Sequence, residues 1–387
     1  MKKLVKSILR KIRTSQQTDL PLISISISKD AILGNVADFK KKVPGTKIAP
    51  VLKSNAYGHG LALIATILEK DASTASAIPF FVIDSYFEAR ALRNEGVKIP
   101  LLVIGYTPPE TILRDRLKNV ICTATSLDTI KNLSEHAVKS SSNRPIKIHL
   151  KIDTGMRRQG ISVNEIDEAV TLIKKSGTLV LEGICSHLPD ADGTDSTFTR
   201  EQIKLWNGIV EKFRKEFPSL AYWHLSNTDG HAFAKDIHAN VSRLGIGLYL
   251  GQTPALEMKT IITGIKKVQA GDKIGYSGTF VAPHDMIIAT IPVGYFEGID
   301  RRLSNKGFVK IEKDGNVFFA PIIGRVSMNI TTVDVSGLSG VCTGDTVIVF
   351  SAHQEDKNSI NSVAEVCGTI PYEILVHIPV HLKRVGV

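Results

Sequence analysis

Eight short apolar or β-branched runs recur between residues 22 and 225, and amphipathic segments separate most of them. The runs are "LISISIS" (22–28), "KIAPVL" (47–52), "PFFVI" (79–83), "PLLVI" (100–104), "NVICT" (119–123), "IKIHLKI" (146–152), "LVLEGI" (179–184) and "YWHL" (222–225). Between them "DAILGNVADFKKK", "LALIATILEKD", "DSYFEARALRNEG", "TSLDTIKNLSEHA" and "VNEIDEAVTLIKKSG" carry apolar residues at helical spacing. The last two end in the Gly or charged residues that mark helix exits. Strands joined by helices must run parallel, and eight such units predict closure into a (β/α)8 barrel. An open doubly wound sheet is the competing arrangement.

After about Met258 the texture changes. "AGDKIGYSGTF", "MIIATIPVGY", "KGFVKIEKDGNVFFAP" and "CTGDTVIVFS" are strands punctuated by Gly-Asp and Asp-Gly turns. The expected organisation is therefore a basic amphipathic segment over 1–19, a barrel over 20–255 and a β-rich C-terminal domain over 256–387. A chain of 387 residues, 43% of them hydrophobic, can fill two such cores.

The formal charge of +10 suggests nucleic-acid binding until its position is examined. Half of the excess lies in the first twenty residues, where Lys2, Lys3, Lys6, Arg10, Lys11 and Arg13 face only Asp19. The remainder is mildly basic, without basic-aromatic interleaving, so nucleic acid is not an expected partner. "MKKLVKSILRKIRTS" also sets Leu4, Val5, Ile8, Leu9 and Ile12 on one helical face. Three readings of it stay open: a helix docked on the folded body, a loose tail, or a membrane-surface or targeting helix. Elsewhere no apolar run reaches the ~18 residues of a spanning helix. Cys122, Cys185, Cys342 and Cys367 are scattered, with no CxxC pair or His cluster, which argues against a disulfide framework or a metal site and fits a reducing cytoplasm.

The segment that carries chemistry is "KIAPVLKSNAYGHG" (47–60), in which an apolar strand ends on Lys53 and a run of small residues follows. A lysine there is either a charged strand end or an amine that reacts. Barrel sites sit at the C-terminal ends of the strands, where Lys53 falls. Its amine, with an intrinsic pKa of about 10.4, becomes nucleophilic when desolvated or crowded by other cations. The carbonyl partner such lysines most often take is pyridoxal 5'-phosphate (PLP).

"VLKSNAYGHG" resembles the cofactor-lysine segment of the alanine racemase family. Eight further blocks are similar in the same order: "LKIDTGMRRQGI" (150–161), "LEGICSHL" (181–188), "HLSNTDG" (224–230), "SRLGIGLYLG" (242–251), "GYSGTF" (275–280), "IPVGYFEG" (291–298), "GRVSMN" (324–329) and "GTIPYEIL" (368–375). The resemblance implies a PLP-dependent racemase interconverting L- and D-alanine, built as a barrel followed by a β domain. It implies a cytoplasmic homodimer with shared active sites that supplies D-alanine for peptidoglycan.

Residue by residue, the resemblance makes Lys53 the covalent anchor of PLP and one of two acid/base groups. The second is Tyr276, reaching in from the other subunit, since racemisation needs a proton group on each face of the substrate carbon. Arg158 lies near that tyrosine in the family. Arg243 faces the pyridine nitrogen; permanently charged and without an acceptor, it disfavours protonation there. Tyr57, Thr228, Tyr372 and the backbone of Gly245 and Ile246 are implied to hold the phosphate, with Asn227 beside them and His187 under the ring. Lys151 matches a lysine that is carbamylated in many members. Tyr295, Met328 and Asn329 match the substrate entrance. Asn329 departs from the family's Met-Asp, which raises a racemase for larger or other small amino acids as the alternative. More distant rivals are a barrel decarboxylase, which would place an acidic group where Arg243 stands, and a non-catalytic PLP-binding protein, which would not need residues 258–387.

Overall fold

The computed structural model describes residues 21–114, 117–138 and 145–387, so the basic segment over 1–19 lies outside the described residues. The chain falls into two compact units. One holds Ser26–Glu257 together with Phe350–Val387; the other holds Met258–Val349 with the residues that end at Ile25.

Eight parallel strands form the frame of the first unit: β1 (Lys47–Pro50), β2 (Phe81–Ile83), β3 (Leu101–Val103), β4 (Val120–Ala124), β5 (Ile146–Lys151), β6 (Leu179–Cys185), β7 (Tyr222–His224) and β8 (Val241–Leu244). Strands β2 to β7 pair in sequence order as one parallel sheet, and β1 pairs in parallel with β8, Lys47 opposite Val241 and Pro50 opposite Leu244. Two seams close the ring. At one, Leu52 N–H donates to Val82 O at 2.7 Å. At the other, Asn240 N–H donates to Trp223 O at 3.1 Å and Arg243 N–H to Ser226 O at 3.2 Å.

The expected barrel is therefore present, with one member exchanged. Ser24–Ile27, within the first predicted run, hydrogen-bonds outside the ring, and Val241–Leu244 supplies the eighth strand. Burial explains the exchange. Ile25 and Ile27 are buried while Ser24 and Ser26 are not, the period-two signature of a strand with one covered face. β2 and β3 are buried at every position, as barrel strands between core and helices must be. "VSRL" is equally buried, but Ser242 and Arg243 interrupt its apolar run.

The surrounding helices follow their sequence signals. Lys29–Lys42 starts on Ser28, whose hydroxyl accepts Ala31 N–H at 3.1 Å, buries Ile32, Val36 and Phe39 on one stripe, and ends in three lysines that complement its dipole. Thr197–Glu216 buries Ile203, Trp206, Val210 and Phe213 at spacings of three and four. Each such side chain contributes about 1.5–3 kcal/mol by leaving water.

The last residues of the chain return to the barrel. Val387 N–H donates to Ile27 O, and Arg384 Nε to Gly58 O, both at 2.9 Å. Between these ends, helices Ile360–Cys367 and Pro371–Val376 bring Tyr372 to the barrel mouth.

The second unit is β-rich. Strands β9 (Gly264–Val268), β10 (Met286–Ile291) and β11 (Thr331–Asp334) form an antiparallel sheet. Met286 and Ile288 pack with Ile274, Ala282 and Ile323 as a small core. The "KDGN" signal is a tight hairpin: Asp314 and Gly315 adopt φ of 50° and 78°, as a type I′ turn demands, between Phe308–Lys313 and Asn316–Pro321.

Two glycines in the first unit should respond oppositely to alanine. Gly58 has φ +80°, and a Cβ there would overlap the carbonyl oxygen of Leu375. Gly34, inside Lys29–Lys42, faces open space. Gly58→Ala is expected to cost about 3 kcal/mol and Gly34→Ala to gain about 0.5–1 kcal/mol, read from urea unfolding midpoints.

Candidate active site

Strand β1 delivers its chain to the mouth of the barrel through Val51 and Leu52, and Lys53 is the next residue. The four residues that follow, Ser54, Asn55, Ala56 and Tyr57, all lie in the left-handed region, with φ of 57°, 56°, 53° and 50°. For L-residues each costs roughly 1–2 kcal/mol, which explains why the run is so small: Ser, Asn and Ala present little to collide, and Asn tolerates this region best. Specific bonds hold the turn. Ala56 N–H donates to Leu52 O at 2.8 Å, Gly60 N–H to Asn55 O at 2.9 Å, and Leu61 N–H to Asn55 Oδ1 at 2.9 Å. His59, fully buried, donates through Nδ1 to Tyr57 O at 2.9 Å, and its ring lies 4.5 Å from that of Tyr249.

A cavity of about 550 Å³ opens above the C-terminal ends of the strands. Lys53, Lys151, Arg158 and Arg243 line it from four different segments, against one acidic residue, Glu373. Burial pushes the Lys53 amine below its ordinary value; Arg158 and Arg243 push the same way, while Asp84 and Glu88 oppose them. Lys151 is pushed down to about 8, chiefly by burial. Its amine makes no ion pair among the described residues.

Arg243 is locked from below. Its Nη1 donates to His224 Nδ1 at 2.6 Å and to His224 O at 3.1 Å; its Nη2 donates to Leu225 O at 2.8 Å, Ser186 O at 2.9 Å and His187 Nδ1 at 3.1 Å. Guanidinium only donates, so these bonds fix the tautomers of His224 and His187 and, through His224, that of His149. His224 must carry its proton on Nε2, which faces His149 Nδ1 at 3.0 Å. His149 must then be protonated on Nε2, which has no partner and packs against Gly183. Both rings are neutral, held well below their ordinary values by burial and by Arg243. His187 is likewise lowered, to about 2, by the same two causes. Among the described residues no carboxylate bonds to Arg243 and no acceptor meets its Nε–H.

The cavity also offers neutral donors. The ring centroid of Tyr57 lies 5.0 Å from that of Tyr249 and 5.8 Å from that of Tyr372. Burial raises both the Tyr57 and Tyr372 hydroxyls, the latter to about 12, which keeps them protonated. Thr228 Oγ1 accepts Gly245 N–H at 3.1 Å and Gly247 N–H at 3.3 Å, and Asn227 Oδ1 accepts Gly230 N–H at 3.0 Å. A Cβ at Gly245 would stand 3.1 Å from the Tyr57 hydroxyl, filling the cradle. Such a pocket suits a compact, strongly anionic, partly planar ligand: a buried cation lacking a counter-ion, hydroxyl donors around a glycine, and a desolvated amine.

Of the residues singled out by sequence, Lys53, Tyr57, Lys151, Arg158 and His187 line this one cavity, as do Asn227, Thr228, Arg243, Gly245, Ile246 and Tyr372. Tyr276, Tyr295, Met328 and Asn329 belong to the other unit and do not line it. Tyr276 is 69% exposed beside Gly275 and Ser277, both at positive φ. Tyr295 and Met328 sit on two loops laced together by Tyr295 N–H to Ser327 O at 3.0 Å and Phe296 N–H to Met328 O at 2.9 Å.

Asn329 has a local explanation. Its Nδ2 donates to Glu297 Oε1 at 2.6 Å, while Glu297 Oε2 accepts Gly294 N–H at 2.8 Å. A carboxylate at 329 would repel that buried Glu297, and the amide bonds it instead. Glu88, His149 and His224 were not anticipated as site residues. Each histidine stood alone in an apolar run, and only their pairing across β5, β6 and β7 reveals the network. Among the described residues no group of three His, Cys, Asp or Glu is placed to hold a metal, and no helix is long and apolar enough to cross a membrane.

The fold and cavity define a class: a parallel eight-stranded barrel protein with a lysine presented into a cationic pocket at the C-terminal mouth. The chain belongs to the alanine racemase family, whose N-terminal domain matches residues 27–253 and whose C-terminal domain matches 255–386. It is 33% identical to alanine racemase 1 of Caldanaerobacter subterraneus subsp. tengcongensis over 376 residues, covering 93% of this chain and 94% of that one. Among solved structures it is similar to the alanine racemase of Clostridium difficile 630, with TM-score 0.84, 28% identity and coverage of 96% and 97%. It is also similar to that of Bacillus anthracis with bound L-Ala-P, with TM-score 0.83, 26% identity and coverage of 95% and 96%.

The buried neutral imidazoles give stability a pH dependence. Burial lowers His59 to about 4 and His149 to about 3, against 6.5 in the unfolded chain. Below pH 6.5 the unfolded state binds the extra protons, so stability is intact above that pH and falls as pH drops toward 4. Each group contributes a slope of up to about 1.4 kcal/mol per pH unit. Urea titrations at pH 7, 6 and 5 should show this decline, and His59→Gln should flatten it by up to that amount.

Proposed function

We propose that this chain is a PLP-dependent racemase that interconverts L- and D-alanine. The observation that carries the reading is the placement of Lys53: a desolvated amine between Arg158, Lys151 and Arg243 at a barrel mouth, in a chain of the alanine racemase family. When bound, PLP supplies a conjugated electron sink beside the substrate's α-carbon. The residues present fit it. Tyr57, Tyr372 and Thr228 offer hydroxyl donors to a phosphate beside Gly245 and Ile246, and Lys53 offers an amine that burial makes easier to deprotonate. Arg243, held by five bonds to carbonyls and imidazoles, can only donate to a ring nitrogen and so keeps a proton off it. A barrel decarboxylase would place an acid at that position.

Lys53 Nζ takes the α-proton on one face. The cavity's own tyrosines are committed to the phosphate side with raised hydroxyls, so the second proton group comes from elsewhere. Tyr276 of a second copy is our assignment, which makes the active form a homodimer with shared sites. Tyr295, Met328 and Asn329 would shape the entrance from the same copy. Arg158 binds the substrate carboxylate. The Lys151 amine, lowered to about 8, is suited to adding CO2: the ammonium gives up one proton to become the free amine and a second as the carbamate forms, which would turn a cation into an anion beside Arg158. The cellular role that follows is cytoplasmic supply of D-alanine for peptidoglycan.

Incubation with L-alanine in heavy water tests the reaction, with chirality and deuterium followed together. D-alanine labelled at the α-carbon is expected; deuterium uptake with retained configuration would contradict racemisation. Tyr276→Phe should slow proton exchange in one direction more than the other, and equal loss in both would remove the two-base assignment.

A further inference from the structure

The left-handed turn after Lys53 has the same deficit as the start of any helix: its first N–H groups have no acceptor within the turn. Ala56 N–H, bonded to Leu52 O, is the first that does. The two before it are satisfied from another part of the barrel. Glu88 Oε1 accepts Ser54 N–H at 2.8 Å and, more weakly, Asn55 N–H at 3.5 Å, while Oε2 accepts Asp84 N–H at 2.7 Å. One carboxylate thus joins the loop after β1 to the loop after β2.

Glu88 is itself fixed. It stands in the first turn of helix Tyr86–Asn94, its N–H donates to Ser85 Oγ at 3.2 Å, and the buried Tyr86, Ala89 and Leu92 anchor that helix. Its two oxygens therefore sit at defined positions against the two loops.

We propose that Glu88 is a positioning residue for Lys53, its carboxylate capping the strained turn and so fixing the direction in which the amine enters the cavity. Both oxygens must accept. Glutamine keeps the length but replaces one acceptor by an NH2 that would face N–H groups on whichever side it turned. Aspartate keeps the charge but is one methylene too short to span the two loops. Charge-assisted bonds to backbone N–H are about twice as strong as neutral ones, so the change to glutamine is felt although only one acceptor is lost.

The proposal rests on Lys53 being the PLP lysine, and the test separates the two. Hydrogen exchange at single-residue resolution on the purified full chain should show Ser54 and Asn55 amides exchanging about tenfold or more faster in Glu88→Gln, with Phe81–Ile83 unchanged. The same variant should lose PLP on dialysis several-fold faster than the parent. Adding Ser54→Gly, which relieves the left-handed strain at that residue, should restore much of the retention, an effect that a general loss of stability would not show. Unchanged exchange in Glu88→Gln, or faster exchange spread evenly over the barrel, would overturn the cap. Faster exchange at the two amides with unchanged PLP retention would overturn the positioning role. A parent chain that binds no PLP would defeat the reading of Lys53 while the exchange result still decides the cap.

Discussion

Four consecutive L-residues held in the left-handed region between Lys53 and Gly58 are the constraint around which the barrel mouth is arranged. The reversed turn keeps the backbone at the rim for one more turn before helix Leu61–Lys70 begins, and it seats the Tyr57 ring within the mouth. Several kcal/mol of strain persist because neighbours over-determine the conformation. Glu88 caps its start, Asn55 and His59 bond its middle and end, and Gly58 leaves room for the Leu375 carbonyl.

The second constraint is electrostatic. Four cationic side chains share one cavity, and the deepest of them, Arg243, is balanced only by carbonyl and imidazole acceptors. An apolar interior tolerates such a charge when every donor is used and an anionic or electron-rich group completes the shell. The histidines behind it carry a directional chain of donors from Arg243 to His224 to His149, which forces neutrality on both rings and holds the guanidinium in one orientation. The orientation of Arg243 in the cavity is thus set by the imidazoles behind it.

Much of this was legible in the sequence, for identifiable reasons. Seven of the eight runs lie in barrel strands, and the count of eight held because one run outside the ring offset one strand that was missed. The membership slipped at two points: "LISISIS" has the alternation of a one-sided strand, and "VSRL" hides a barrel strand behind a buried arginine. Lys53 and its neighbours were visible because the small-residue turn is local. Glu88 was not, since its partners lie 34 and 33 residues away, and its position three after Ser85 reads only as a helix start. His149 and His224 are 75 residues apart and acquire meaning only as a pair. Asn329 showed as a departure from a pattern, and its reason, the neighbouring carboxylate of Glu297, needed the two loops side by side.

Of the two lysines that line the cavity, Lys53 and not Lys151 is proposed to form the covalent bond to PLP. Borohydride reduction of the purified, PLP-loaded protein followed by peptide mass mapping tests it most directly. A single phosphopyridoxyl group is expected on the peptide that contains "VLKSNAYGHG", at Lys53. Modification at Lys151 instead, or none at all, would contradict it.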